Sequence, residues 1–382
     1  KKKALELIRL AADKNVSIAQ NKMGYLYETG HIVPKDMKKA IEWYTLAEQN
    51  GFTDAAYHLA LLYLASSPPL QNDPLALRYL EKAASANNTN ALYKLGTFYF
   101  HGQYSATKDR KKAAEYFRRA AKLGHKNSQI AYADILQKGK GVEKNEKLAC
   151  EIYEKTAKEG SPYGQFRSGL CYQTGLGNRP KNPAKAVSLF DHSARQGNAL
   201  AQYWMGYLCL HGKGVEKNEP LARDWLEKAA VQNQTGAAFE LAKQYWNGNG
   251  IPSDPEQAIV WFTKAAQNND VQAQRALAFI YSVHGAKKGI KPDDQKAFYW
   301  ANKAARYNDD PSTRLLLGTF YISGKGTAVD EKKGLLLLKE AAEKNYPQAM
   351  AMLGEFYLEK KDRKVAQMWF KRAAASGDQK VI

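Results

Sequence analysis

Residues 201–236 read AQYWMGYLCLHGKGVEKNEPLARDWLEKAAVQNQTG. Eight of them, GKGVEKNE at 212–219, occur a second time at 139–146, which is 73 positions earlier. An identical stretch of this length within one chain indicates an internal repeat. Repeats are sought before other features because a periodic chain builds a different kind of fold from an ordinary domain.

The period becomes clear when Ala222 is taken as an anchor. Successive equivalents lie 32 to 39 residues apart, so the 382-residue chain contains ten copies of a unit of about 36 residues. The ten anchors are Ala40, Ala76, Ala113, Ala149, Ala186, Ala222, Ala258, Ala297, Gly334 and Ala366.

A helix is predicted to begin just before each anchor, and we call it helix B. The residue four positions before the anchor is Asp or Asn in all ten copies, and these side chains accept hydrogen bonds from the N–H groups of a first helical turn. Apolar residues at the anchor and three and seven positions later form one stripe. The ten capping residues are Asp36, Asn72, Asp109, Asn145, Asn182, Asn218, Asp254, Asp293, Asp330 and Asp362.

A second helix, helix A, is predicted to precede helix B in each copy. Its marker position is always Gly or Ala, which indicates a helix crossing with no room for a larger side chain, since Gly within a helix costs about 1 kcal/mol relative to Ala. Three residues later, eight of the ten copies have Tyr. The markers are Gly24, Ala60, Gly96, Ala133, Gly169, Gly206, Ala242, Ala278, Gly318 and Gly354.

Stacked helix hairpins bury apolar faces that one hairpin alone cannot cover. The predicted fold is therefore all-α, a right-handed α/α superhelical solenoid. Residues 1–17 are expected to form a lone helix B of a preceding repeat, residues 18–378 the ten repeats of one continuous solenoid, and residues 379–382 a tail. The sequence is expected to be a slice of a longer array.

The combined pattern A-x-x-x-LG-x-x-Y-x-x-G-x-GV and D/N-x-x-x-A-x-x-W-x-x-x-AA-x-x-G resembles the SEL-one-like repeat family, relatives of the tetratricopeptide repeats. The resemblance implies a protein-interaction role. It also suggests a periplasmic or secreted bacterial protein, because members of similar composition include secreted effectors and invasion-promoting proteins of intracellular bacteria. Eukaryotic members act in endoplasmic-reticulum degradation and chitin-synthase activation.

Catalytic chemistry is not predicted. The Gly-x-Gly pairs, as at 139/141 and 212/214, lack the GxxxxGK[ST] pattern of a phosphate-binding loop and are interpreted as turns that reverse the chain after helix A. The seven histidines are scattered, so no metal site, cofactor or catalytic residue is expected. Cys150, Cys171 and Cys209 are an odd, sparse set and are interpreted as buried inert thiols rather than a disulfide framework.

One enzymatic alternative stays open through the resemblance. Cysteine-rich family members have been linked to β-lactam binding or hydrolysis, but those proteins carry paired cysteines in each repeat and this chain does not. A cell-wall-active hydrolase, or a modulator of a cell-wall enzyme, is the alternative to a non-enzymatic scaffold.

The formal net charge of +19 favours anionic partners. Lysines cluster at the start of helix B and are expected to form a basic edge, either an attractive surface for an acidic protein or a solvated face that keeps the array in solution. Anionic lipid or a cell-wall polymer is a second partner class, and no nucleic-acid-reading motif is present. No stretch approaches the ~18 apolar residues of a transmembrane helix. The edge comprises Lys38, Lys39, Lys111, Lys112, Lys147, Lys185, Lys332 and Lys333.

The expected partner site is the concave face of the solenoid, formed by helix A. Its candidate positions lie two before and one after the Gly/Ala marker, where Trp, Tyr and Arg have the composition of an interaction hot spot. Burial in the core is the competing interpretation of Trp204. The candidates are Lys22, Tyr25, His58, Lys94, Arg167, Trp204, Tyr207 and Lys243.

Overall fold

A computed structural model describes residues 2–65, 71–249, 252–306 and 310–376, apart from the side chains of Val283 and His284. The predicted tail at 379–382 lies outside the described residues. Within them, the regular secondary structure consists of α-helices and two short 3₁₀ segments, Leu176–Asn178 and Val283–Lys288. The all-α prediction is therefore confirmed.

The described residues form twenty-one α-helices, in which even-numbered helices correspond to helix A and odd-numbered helices to helix B. In chain order they are α1 Lys2–Asp13, α2 Ser17–Thr29, α3 Met37–Gln49, α4 Asp54–Ala65, α5 Asp73–Ser85, α6 Thr89–His101, α7 Arg110–Lys122, α8 Lys126–Lys138, α9 Glu146–Lys158, α10 Pro162–Thr174, α11 Pro183–Arg195, α12 Ala199–His211, α13 Glu219–Val231, α14 Thr235–Asn247, α15 Pro255–Gln267, α16 Val271–Tyr281, α17 Asp294–Ala305, α18 Pro311–Ser323, α19 Glu331–Glu343, α20 Pro347–Glu359 and α21 Arg363–Ala375.

The helices belong to two compact units, residues 1–193 and 194–382. In the first unit α1 packs on α2, and the hairpins α2–α3, α4–α5, α6–α7 and α8–α9 follow one another, with each B helix also packing on the next A helix. The second unit has the same arrangement in its hairpins α12–α13, α14–α15, α16–α17, α18–α19 and α20–α21. Each core thus extends along the row of hairpins, and one continuous cluster of the second unit runs from Leu226 in α13 to Phe320 in α18.

The predicted caps of helix B are confirmed in all ten copies. Each Asp or Asn side chain accepts a hydrogen bond from a backbone N–H of the first turn that follows it. A cap of this kind stabilises its helix by about 1 kcal/mol. The start of every B helix is therefore determined locally by one residue.

The close helix crossing at the Gly/Ala marker is also confirmed. At Gly96 in α6, an added Cβ would lie 2.7 Å from the ring atoms Cδ1 and Cε1 of Phe117 in α7. Phe117 stands four residues after its anchor, and large apolar residues hold the equivalent position in most other copies, such as Tyr44, Phe190 and Leu226. The missing side chain at the marker creates the space that this large side chain fills.

The two GKGVEKNE stretches are turns, as the sequence predicts. Gly139 and Gly212 end their A helices with φ of 64° and 63°, and each donates its N–H to the carbonyl four residues earlier. The second glycine is needed for space as well, because a Cβ at Gly141 would lie 2.3 Å from the carbonyl oxygen of Arg110. These glycines therefore have a structural role in the loop.

The interpretation of the cysteines is wrong for two of the three. Cys150 in α9 and Cys171 in α10 form a disulfide, and only Cys209 remains a buried thiol. The bond joins helix B of one repeat to helix A of the next, so the two cysteines come from separate copies of the unit. Gly164 allows the same close approach, since a Cβ there would lie 2.4 Å from Oγ1 of Thr156 in α9.

No helix among the described residues has the length and apolar character required to cross a bilayer.

Candidate interaction surface

The A helices present a repeated set of side chains next to their buried marker. We define the A-face as the side chains two positions before and one position after each Gly/Ala marker. In α6 and α8 these are Lys94 and Thr97, and Ala131 and Asp134. A cavity of about 290 Å³ lies there and includes Thr97, Ala131 and Asp134 in its wall, with Tyr93, Lys138 and Lys140 around them. Three A-face residues of α6 and α8 thus line a groove in the first unit, and Lys138 and Lys140 make its rim basic.

The A-face of the second unit lines a larger cavity of about 730 Å³ between α14, α16, α18 and α20. Its wall contains Ala276 and Phe279 of α16, Leu316 and Thr319 of α18, and Met352 of α20. These residues are not among the predicted partner-binding positions. They can be identified from the sequence by taking the positions two before and one after the Gly/Ala marker in the last three repeats.

The first two predicted partner-binding residues are exposed on α2. The ammonium of Lys22 lies 4.7 Å from the centre of the Tyr25 ring, and 44% of Tyr25 is accessible to solvent. His58 on α4 is half-buried and stacks on Tyr44 with ring centres 5.0 Å apart. Burial lowers the pKa of His58, so its imidazole is neutral at pH 7 and adds no positive charge to the surface.

Arg167 is largely occupied by contacts within the first unit. Its side chain is 15% exposed and forms an ion pair of 2.9 Å with Asp134 and a hydrogen bond of 2.9 Å to the Tyr153 hydroxyl. Although burial opposes the charge, Tyr153 and Asp134 raise the pKa of Arg167. Arg167 therefore joins α8, α9 and α10 and offers a partner little surface, whereas Lys94 is half-buried at the equivalent position of α6.

In the second unit, Trp204, Tyr207 and Lys243 are half-buried, and each contacts a neighbouring side chain. Trp204 meets Tyr207 edge-on, with ring centres 5.8 Å apart, and the Tyr207 hydroxyl accepts a hydrogen bond of 3.0 Å from Lys213. Lys243 pairs with Glu240 at 2.9 Å and lies over the ring of Phe239. Trp204 is thus half-buried, neither fully exposed as a hot-spot residue nor fully enclosed in the core.

The predicted basic edge divides into two columns with different environments. One column lies directly before the anchor, and its lysines pack on tyrosines of the preceding A helix. The distances from ammonium to ring centre are 5.5 Å for Lys39 on Tyr27, 4.0 Å for Lys112 on Tyr99, 4.1 Å for Lys185 on Tyr172 and 4.3 Å for Lys333 on Tyr321. We call these four lysines the paired column.

Two members of the paired column form the same Lys–Tyr–Glu chain of hydrogen bonds. Lys112 donates to the Tyr99 hydroxyl at 2.6 Å, and that hydroxyl donates to Glu81 of the previous B helix at 2.9 Å. The same network recurs 73 residues later, where Lys185 donates to Tyr172 at 2.7 Å and Tyr172 donates to Glu154 at 3.0 Å. These lysines therefore connect successive repeats.

The other column lies two positions before the anchor and consists of Lys38, Lys111, Lys147 and Lys332. All four are exposed, and their ammonium groups form no hydrogen bond or ion pair with the rest of the described structure. They stand in the first turn of helix B, where a positive charge is opposed by the helix dipole at about 0.3–1 kcal/mol each. We call them the unpaired column.

Glu154 has the most strongly perturbed carboxyl group of the networks. Arg179 donates to it at 2.6 Å and Tyr172 at 3.0 Å, and together they lower its pKa from 4.5 to about 2. Arg179 lies in the loop before α11 and has no counterpart in the Glu81 network, so the sequence repeat alone does not predict this difference.

A family model for the Sel1 repeat matches ten consecutive stretches of the sequence. They are residues 17–52, 53–88, 89–125, 126–161, 162–198, 199–233, 235–270, 271–309, 313–346 and 347–378. The chain belongs to the Sel1 repeat family. This confirms the resemblance read from the sequence and the number of repeats, and it accounts for the hairpins α2–α3 through α20–α21.

Two solved structures of Sel1 repeat proteins are similar to this chain over most of its length. A protective antigen of uropathogenic Escherichia coli has a TM-score of 0.73 at 28% identity, with 99% of this chain and 80% of that chain covered. A Sel1 repeat protein from Oxalobacter formigenes has a TM-score of 0.57 at 25% identity, with coverage of 83% and 90%. Both of these similar structures are of bacterial proteins.

Among characterised relatives, the chain is 26% identical over 282 residues to the chitin synthase regulator SKT5 of Saccharomyces cerevisiae. It is 28% identical over 253 residues to chitin synthase regulatory factor 3 of Schizosaccharomyces pombe. These matches include 71% and 63% of this chain but only 40% and 27% of the relatives. The chain thus spans less than half the length of each.

Proposed function

We propose that this Sel1 repeat protein is a non-enzymatic scaffold that binds a partner protein along its A-face. The observation that carries the proposal is the placement of the A-face: the same helical positions line a groove in each unit. Grooves with a few convergent polar groups are the usual place for recognition. In the first unit, an acidic segment of the partner is the best match for Lys138 and Lys140 of the groove wall, with Lys94 on the same A-face of α6.

The named relatives support a regulatory rather than a catalytic role. The two yeast proteins are described as regulators of chitin synthase, and the similar Escherichia coli protein as a protective antigen. By analogy, we propose that this chain acts on another protein, such as a cell-wall enzyme or a host factor.

We further propose an oxidising compartment, which fits a periplasmic or secreted protein. The Cys150–Cys171 disulfide supports this location, because such bonds persist mainly outside the reducing cytosol.

The experiment is a pull-down from bacterial and host lysates at low and at moderate salt. It compares the native protein with a variant in which Lys22, Tyr25 and Lys94 are alanine. A matched control carries alanine at Lys122, Leu123 and Lys126, two lysines and one exposed apolar residue that lie outside the A-face. Circular dichroism first establishes that all three proteins remain helical.

A discrete protein that is captured at both salt concentrations, retained by the control and lost by the A-face variant would support the proposal. Capture that is unchanged in the A-face variant would refute it.

The unpaired column favours a second candidate function, binding to anionic lipid or a cell-wall polymer. These four exposed lysines lower the stability of the fold, because each opposes a helix dipole. Attraction of an anionic partner would account for their presence. Sedimentation with vesicles containing anionic lipid, or with cell-wall polymer, tests this candidate. We expect such binding to fall steeply with salt and to disappear when Lys38, Lys111, Lys147 and Lys332 become glutamine.

A further inference from the structure

The second unit contains a continuous groove along α16, α18 and α20. The cavity of about 730 Å³ adjoins a second of about 490 Å³, and Leu316, Thr319 and Met352 belong to the walls of both. Three successive A helices therefore contribute to one surface, which is long enough to bind an extended or helical segment rather than a single side chain.

The middle of the groove is apolar. The Phe279 side chain is 48% exposed. Leu316 and Met352, which line the same cavity, are half-buried. The one arginine of the wall, Arg275, forms an ion pair of 3.3 Å with Asp310, which compensates its charge. An apolar side chain of a partner is the chemical match for this part of the groove.

One end of the groove is acidic. Glu355 and Glu359 follow Met352 on one face of α20 at helical spacing, and Asp294 at the start of α17 belongs to the same wall. None of the three carboxylates forms an ion pair with another described residue, and Lys325 is the one basic residue of that wall. This excess of negative charge is unusual on a protein with a net charge of +19.

We propose that the groove of the second unit binds an apolar segment of a partner protein that carries basic residues beside its apolar side chains. The apolar side chains would contact Phe279 and Leu316, and two basic residues would pair with Glu355 and Glu359. The inference rests on the proposed scaffold function and adds the chemistry of a second subsite, opposite in charge to the basic groove of the first unit.

The probe is a short synthetic amphipathic helical peptide, labelled with fluorescein, with a leucine stripe flanked by lysines. A second peptide has glutamate in place of every lysine, and a third has serine in place of every leucine. Fluorescence anisotropy measures the affinity of each peptide for the full chain. The net charge of the protein alone would favour the glutamate peptide, so the order of affinities separates local from overall charge.

We expect the leucine–lysine peptide to bind roughly three- to tenfold tighter than the leucine–glutamate peptide at low salt, since two exposed ion pairs form. The serine peptide should bind at least roughly tenfold more weakly, because the apolar contact is lost. Glu355→Gln with Glu359→Gln should remove the preference for lysine, whereas the control Glu343→Gln with Asp224→Asn, two exposed carboxylates on B helices, should keep it.

Phe279→Asp should weaken the leucine–lysine peptide at least roughly tenfold. Tyr299→Asp is its matched control, because Tyr299 is an aromatic residue 56% exposed on helix α17 of the same unit. Tighter binding of the glutamate peptide, or equal effects of Phe279→Asp and Tyr299→Asp, would overturn the inference. The scaffold function would still stand if capture in the pull-down depends on Lys22, Tyr25 and Lys94.

Discussion

The ring of Phe117 occupies the space that a side chain at Gly96 would fill, because a Cβ on Gly96 would lie 2.7 Å from that ring. The contact joins the two helices of one hairpin, and equivalents recur at Gly24 with Tyr44 and at Gly169 with Phe190. In these three hairpins, a helical glycine and an aromatic residue 20 or 21 positions later together determine how closely the two helices pack.

Gly96→Ala should lower the free energy of unfolding by about 1–2 kcal/mol. Overpacking costs about 1–3 kcal/mol, and the better helix propensity of alanine returns up to about 1 kcal/mol. Adding Phe117→Leu should restore part of the loss, since Ala60 and Leu80 hold these two positions in the second repeat. Urea unfolding of the single and double variants measures both effects. A Gly96→Ala protein as stable as the native one would contradict this packing.

Much of this fold could be predicted because its determinants are local and repeated. The ten Asp and Asn caps and the ten Gly and Ala markers each act through neighbours at a fixed distance along the chain, so periodicity reveals them. The Cys150–Cys171 bond could not be predicted in this way. It occurs once and joins different positions of two successive repeats, so the repeated pattern does not indicate their proximity.

The disulfide should contribute about 3 kcal/mol to the free energy of unfolding, the amount expected for closing a loop of about twenty residues. Reductant, or Cys150→Ala with Cys171→Ala, should remove this contribution. In the Cys209→Ala variant, reductant should still lower the free energy of unfolding by the same amount. Thiol titration of the unfolded, unreduced protein should detect one of the three cysteines, and detection of all three would contradict the bond.

The Glu154 network should make stability depend on pH in the acid range. The folded-state pKa of Glu154 is lowered to about 2, so its contribution is fully present above the unfolded value near 4.5 and is lost as the pH falls from 4.5 to 2. Glu154→Gln should reduce the change in the free energy of unfolding between pH 4.5 and pH 2 by about 1 kcal/mol, a value that allows for solvent screening.

Glu151→Gln is the control for this prediction, because Glu151 is an exposed carboxylate on the same helix. Unfolding by urea at several pH values makes the comparison. An unchanged slope in Glu154→Gln, or an equal change in Glu151→Gln, would contradict the role of the network.

The two lysine columns should differ in their effect on stability, although each contributes four positive charges. Glutamine at Lys38, Lys111, Lys147 and Lys332 should raise the free energy of unfolding by about 1–4 kcal/mol in total, since it removes four unfavourable interactions with helix dipoles. Glutamine at Lys39, Lys112, Lys185 and Lys333 should lower it, because contacts with tyrosine and glutamate are lost. Equal effects of the two sets, measured by thermal and urea unfolding, would contradict the division.

The candidate surface was only partly predictable. The A-face positions follow from the marker, but their environment depends on neighbouring repeats. Arg167 has the expected position, yet Asp134 and Tyr153 bind it, and Phe279 lines a groove because α18 and α20 lie beside it. A pattern within one repeat identifies which side chains share a face, whereas the contacts between repeats determine which of them a partner can reach.

Photocrosslinking tests the central claim, binding along the A-face, most directly. A photoreactive amino acid is placed at Lys94 on the A-face of α6 or, as control, at exposed Lys122 on α7, and each protein is irradiated in the lysate that contains the captured partner. We expect a discrete crosslinked partner from position 94 and little from position 122. Crosslinking to the same partner from position 122 alone, or equally from both positions, would contradict it.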